Sequence, residues 1–223
     1  PGASVRGRSC AGPAVPSNSC ATDLEEELEE GAADNQCGLL SEAQWLQMLR
    51  WLPIRYRVTD PRLVFRASVD GYNISALRAK CGTLSPLVIV IRTLSAPAKV
   101  CPPHRCCFVM WSPPPPLSLS QIIGAFIPTE ITVKPGAYTG TGEAYLFRLD
   151  PDPMKYEWAP GQESLFINNE RDSFSVGGGG GTGLGFDADL HECVSERCNT
   201  FCNPPLFGEA TEFVIADLEV IAF

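Results

Sequence analysis

Apolar residues along this chain follow two different spacings. In "LSEAQWLQMLRWLP" (residues 40–53), Trp45, Met48, Leu49 and Leu52 recur on one face of a 3.6-residue period. Ser41 stands at the N-cap position with Gln44 three residues on, and Pro53 ends the run, which predicts an amphipathic helix. A shorter helix is predicted from Ile74 to Lys80, with Asn73 as its cap and Gly82 as its stop.

The other apolar segments have the spacing of strands. "RLVFRAS", "PLVIVIR", "IIGAFI", "EAYLFRL", "KYEWA", "SLFIN" and "TEFVIADLEVIAF" are short and rich in β-branched and aromatic residues, and Gly, Pro, Asp or Asn bound them. In the last, Asp217 and Glu219 alternate with Val214, Ala216, Leu218, Val220 and Ala222, which predicts one face in the core. Many short strands with few helices give an α+β, mainly β fold class: a β-sandwich of two antiparallel sheets flanked by a few short helices.

One segment breaks the pattern. Residues 97–120, "PAKVCPPHRCCFVMWSPPPPLSLS", are aperiodic and separate two strands that look ready to pair as a hairpin. Pro, Leu and Ser share pyrimidine-rich codons, and "PPPPLSLSQ" is what a translated polypyrimidine tract and splice acceptor would read as. Residues 97–120 are therefore expected to be a retained intron or gene-model error, or else a genuine flexible insertion.

Composition narrows the class. With 223 residues, 44% hydrophobic and 19% charged, the chain has the balance of a soluble globular protein. No apolar run approaches the roughly 18 residues that a membrane helix needs. "PGASVRGRSC" lacks the apolar centre of a signal peptide, so a cytoplasmic protein is expected. The absence of an initiator Met suggests a fragment. Net charge is −9, and residues 1–36 hold Arg6 and Arg8 against seven acids, so a disordered acidic tail is expected there ahead of a domain at 37–223. A chain this acidic, without a basic stripe, is not expected to bind nucleic acid. Its ten cysteines, with no secretion signal, are expected as thiols or metal ligands.

Candidate chemistry is sparse. The two histidines are His104 and His191, and neither has an identifiable Ser or Cys partner. Asp187 and Asp189 could act as acid and base only if a strand placed them on one face. "HECVSERCNTFC" offers His191, Cys193, Cys198 and Cys202 for zinc or redox work, and "CPPHRCC" adds Cys101, His104, Cys106 and Cys107; neither has the spacing of a paired knuckle. In "GGGGGTGLGFDADL" (residues 177–190) a G-x-G-x-x-G match lies at 178–183, but no helix start and no P-loop lysine follows. The glycine run is best read as a connection between strands whose backbone packs tightly beside Asp187 and Asp189.

Taken in order, these pieces resemble a TLDc domain, the module of the oxidation resistance and nuclear receptor coactivator 7 groups. The resemblance runs from about Leu39 to Phe223. It rests on "MLRWLP", "SPLVIVIRT", "IIGAFI" and loosely on "ASVDGYNISAL", and more specifically on "YTGTGEAYLFRLDP", the glycine block, "CNTFCN" and "FVIADLEVIAF". Departures are the insertion, Gly185-Phe186, and Ile221 where Trp is usual. The resemblance implies the same sandwich and a non-catalytic interaction module, with no cofactor. It also implies protection against oxidative damage and binding to the vacuolar proton-pumping ATPase, at vacuolar, lysosomal or mitochondrial membranes. The matching positions are Gly140, Thr141, Gly142, Glu143, Gly177, Gly178, Gly179, Asp187, Asp189, Leu190 and Glu219. For Glu143 and the aspartates, turn and capping chemistry is the alternative to partner contact.

Overall fold

The fold is described from a computed structural model, which defines residues 34–94, 120–208 and 210–223. Most of the expected acidic tail and of the 97–120 segment, with Cys101, His104, Cys106 and Cys107, lies outside the described residues.

Helix α1 (Glu42–Trp51) forms where the apolar stripe predicts it. Its capping box is complete: the Gln44 amide donates to Ser41 Oγ (3.4 Å), and the Ser41 amide donates to Gln44 Oε1 (3.0 Å). Short turns α2 (Ile54–Arg57) and α3 (Ala67–Asp70) were not legible in the pattern, and α3 cuts short the strand expected over 62–68. Helix α4 (Ile74–Cys81) starts at the expected cap, where Asn73 Oδ1 accepts from the Ser75 amide (2.7 Å).

The strands are β1 (Arg62–Arg66), β2 (Leu87–Leu94), β3 (Ile122–Ile127), β4 (Tyr138–Thr139), β5 (Tyr145–Arg148) and β6 (Met154–Glu157). They continue with β7 (Ile167–Asn169), β8 (Phe174–Val176), β9 (Leu184–Phe186), β10 (Glu192–Val194) and β11 (Glu212–Ala222). All pair antiparallel in one hydrogen-bonded ladder, β4-β7-β8-β9-β10-β11-β2-β3-β5-β6, with β1 added beside β11. The mainly β class with a few short helices holds, but the ladder does not divide into the two separate sheets expected. The reason is β11: its 11 residues are long enough to pair with β10 near one end, with β1 near the other, and with β2 along most of their length.

β2 and β3 pair as the hairpin expected, from Leu87 opposite Ile127 to Arg92 opposite Ile122. The Thr93 amide donates to the Gln121 carbonyl (3.0 Å), so the ladder stays closed up to that point. β2 is an unbroken apolar run because both of its faces are covered. Leu87, Ile89 and Ile91 join the main core with Ile123, Ala125, Leu146, Leu218 and Val220. Across the opposite face, Trp45 stacks on Phe223, Trp51 meets Phe147, and Phe126 stacks on Tyr145 at 5.0 Å.

The expected alternation along β11 fails part-way. Phe213 and Ile215, not Val214 and Ala216, join the main core, whereas Leu218 and Val220 do so as expected. The register against β2 shifts between Ile215 and Asp217, and the extra residue turns the first half of the strand over.

At the middle of the hairpin, Gly124 faces Phe147 across the β3–β5 pair, and the ring lies over the bare backbone. A Cβ at Gly124 would collide with the Ile89 carbonyl and the Phe147 ring, and the backbone cannot give way. Gly124→Ala is expected to destabilise the domain by about 1–3 kcal/mol, the range for overpacked cores. Urea unfolding midpoints at unchanged slope would measure it, and a wild-type midpoint would show that the hairpin has slack.

Candidate functional site

Two glycine-rich connections approach each other around Phe166. The first, Gly140 to Glu143, joins β4 to β5. Gly140 has φ +102°, and a Cβ there would press on Phe166 and Ile167. The Ala144 amide donates to the Thr141 carbonyl (3.1 Å) and closes a turn. Gly142 lies under Trp158, whose indole Nε1 donates to the Glu163 carbonyl (3.1 Å) and whose ring meets Phe166 edge-on at 5.7 Å. Thr141 and Glu143 of this set are exposed, and the Glu143 carboxylate forms an ion pair with Arg55 on α2. Both partners are exposed, so the pair contributes little to stability.

The second connection is the glycine run between β8 and β9. Gly177, Gly179 and Gly180 have φ between +79° and +84°, a conformation that other residues adopt only with strain. The Gly177 amide donates to the Phe166 carbonyl (2.7 Å) and the Gly178 amide to Thr200 Oγ1 (3.3 Å). In return the Gly178 carbonyl accepts from the Thr200 amide (3.2 Å), and the Gly179 carbonyl accepts from the Asn199 amide (2.7 Å). A Cβ at Gly177 would press on Cys198 Sγ and Phe201. Protein acceptors thus take the first two amides, which a phosphate cradle would need free. The glycines clamp the "CNTFCN" turn, and Leu184–Phe186, expected as part of the connection, is itself strand β9.

The remaining candidates lie elsewhere. Asp187 Oδ1 accepts from the His191 (3.0 Å) and Glu192 (3.4 Å) amides, which is the capping role held as the alternative. Asp189 is exposed in the same turn, and Leu190 is buried with φ +47°. Glu219 is only 1% exposed, and its Oε1 lies 2.5 Å from Arg66 Nε, its cross-strand neighbour. The structure therefore brings Gly140–Glu143 and Gly177–Gly179 together around Phe166, places Asp187 and Asp189 at the β9–β10 turn, and buries Glu219.

Sequence reasoning did not single out Trp158, Arg55, Asn199 or Thr200. Trp158, Asn199 and Thr200 stood inside quoted motifs, but their contacts were not visible there. Arg55 carried no signal at all, because its partner is 88 residues away.

The cysteine set does not assemble. Among the described residues, no three His, Cys, Asp or Glu side chains converge as a metal would require. His191 is exposed, while Cys193 and Cys198 are buried and free. Burial pushes the Cys193 thiol well above its ordinary value, with the Asp187 charge adding to it, and burial raises Cys198 and Cys81 as well, the latter to about 12. Such thiols stay protonated and poorly nucleophilic at neutral pH. Cys202 departs from the expectation of thiols, since it is disulfide-bonded.

A comparison with protein families matches the TLDc domain over residues 33–223. The chain belongs to the TLDc domain family. Among curated proteins, this TLDc domain is 31% identical over 187 residues to human (Homo sapiens) nuclear receptor coactivator 7, and 32% identical to the Mus musculus protein. The match covers 83% of this chain and 17% of each relative. It is 29% identical over 203 residues to oxidation resistance protein 1 of Bos taurus, covering 90% of this chain and 20% of that protein. The TLDc domain thus spans about a fifth of the length of the relatives it matches.

The buried thiols give a direct check. Iodoacetamide at pH 8 is expected to leave Cys81, Cys193 and Cys198 of the folded domain unmodified, with full labelling only after denaturant is added, as peptide mass spectrometry would read. Rapid labelling of native Cys193 would count for the redox alternative.

Proposed function

We propose that this TLDc domain is a non-catalytic protein-interaction module of the oxidative-stress response that binds and regulates the vacuolar proton-pumping ATPase. The observation that carries the reading is the family match across 33–223, with relatives named for oxidation resistance and for nuclear receptor coactivation. The placement proposed is cytoplasmic, including the surface of vacuolar, lysosomal or mitochondrial membranes. No helix among the described residues is long and apolar enough to cross a membrane, which is compatible with this reading.

The site chemistry agrees with an interaction module. Gly177 to Gly179 use most of their polar backbone groups internally, and Glu143 with Arg55 is exposed. Such surfaces suit recognition, since little side-chain order has to be gained on binding.

Purified domain immobilised on resin is expected to retain peripheral-stalk and catalytic-head subunits of the pump from a membrane extract, as immunoblotting would detect. A variant with Cys81, Cys193 and Cys198 changed to Ala is expected to protect peroxide-treated cells as well as the wild type does. The reading fails if no pump subunit is retained, and its non-catalytic part fails if the variant loses protection while remaining folded.

A further inference from the structure

A cavity of about 560 Å3 opens between the end of α1, the α2 turn and the Gly142–Glu143 connection. Its walls carry Arg50, Arg57 and Lys155 beside Trp51 and Trp158, with Ile54 (77% exposed) at the edge; the two carboxylates that also line it are already paired, Glu143 with Arg55 and Glu157 with Lys155.

The cations differ in how far they are satisfied. Lys155 Nζ is balanced by Glu157 (2.5 Å), donates to the Trp51 carbonyl (2.9 Å) and lies over the Tyr145 ring. Arg57 donates through Nε to the Leu52 carbonyl (2.8 Å) and through Nη2 to the Arg50 carbonyl (2.5 Å), but no carboxylate among the described residues forms an ion pair with it. Among the described residues the Arg50 side chain makes no hydrogen bond or ion pair, and its Nε is shut away from solvent without an acceptor. Tyr145 also lines the cavity, is only 2% exposed, and has a hydroxyl without a partner. Buried donors left unmet are unfavourable, and the arrival of an acceptor would relieve them.

Guanidinium groups match carboxylates in geometry and charge, and indole faces suit an adjoining apolar side chain. The overall charge of −9 disfavours an extended anionic surface such as a membrane, which would meet the whole acidic molecule. A narrow segment that presents single carboxylates avoids that repulsion and fits a recess of this size.

We propose that this cavity docks an acidic peptide segment of a protein partner. One carboxylate is received by Arg50, Arg57 and the Tyr145 hydroxyl, while a neighbouring apolar side chain lies on Trp51, Trp158 and Ile54. The site deepens the interaction-module reading and rests on it only in taking the ligand to be a protein; no pump subunit is assumed.

The test is fluorescence polarisation with a labelled peptide of sequence ELEELE and its neutral counterpart QLQQLQ. The acidic peptide is expected to bind with a Kd of order 10–100 μM at low salt, and the neutral one not to bind. Arg50→Glu is expected to weaken binding by about tenfold or more with a melting temperature within about 2 °C of wild type, because the Arg50 side chain has no bond to lose among the described residues. Arg50→Gln is expected to weaken it less, and Tyr145→Phe to weaken it while keeping the ring. Equal binding of both peptides, or unchanged affinity in Arg50→Glu, overturns the proposal. Binding of phosphatidylserine vesicles or inorganic phosphate in place of the peptide overturns the peptide assignment. Pump subunits retained on the resin without peptide binding reject the cavity alone, and peptide binding without retention rejects the pump alone.

Discussion

The structure depends on the hydrogen-bonding demand of β11. Every backbone group of a buried strand must find a partner, and a strand of 11 residues has two long edges to satisfy. β2 occupies one edge almost completely, and β10 and β1 divide the other. This makes β11 the joint through which all the remaining strands connect into one ladder. The bulge between Ile215 and Asp217 follows from the same demand, because it lets one strand present a core-facing side chain to different neighbours along its length.

Burial on both faces of β2 sets the second level of organisation. The main core lies on one side, and the segment from Cys37 to Leu52 covers the other, where Arg92 Nη2 donates to the Leu39 carbonyl (2.9 Å). Glu219 lies under this cover. Its pairing with Arg66 offsets part of the cost of burying a carboxylate, and burial with the neighbouring Glu219 carboxylate pushes the Cys37 thiol up. A residue that matches a family motif can therefore be a buried one that lies between a covering segment and the sheet.

The two glycine connections show how rigid turns can frame a surface. Positive φ and backbone hydrogen bonds fix Gly177 to Gly179 against the turn at Asn199 and Thr200, and Gly142 gives Trp158 room to lie close. The indole in turn forms one wall of the cavity beside Arg50 and Tyr145. An acidic chain thus gathers unpaired cationic and hydroxyl donors at one recess, and that local departure from the overall charge is what gives the recess a preference among ligands.

Much of this was legible in the chain. The α1 stripe with its capping box, the α4 cap at Asn73 and the β2–β3 hairpin follow from local spacing and turn chemistry, which act over a few residues. The TLDc identity follows from motifs met in turn along the chain. Tertiary structure alone decided that β11 carries a bulge, that Leu184–Phe186 forms a strand despite its glycine, that Glu219 is buried, and that Arg55 meets Glu143 across 88 positions. Those outcomes depend on which distant backbones pair and which side chains are left without a partner when they do. Periodicity records the preferences of each segment, whereas burial and pairing are properties of segments brought together.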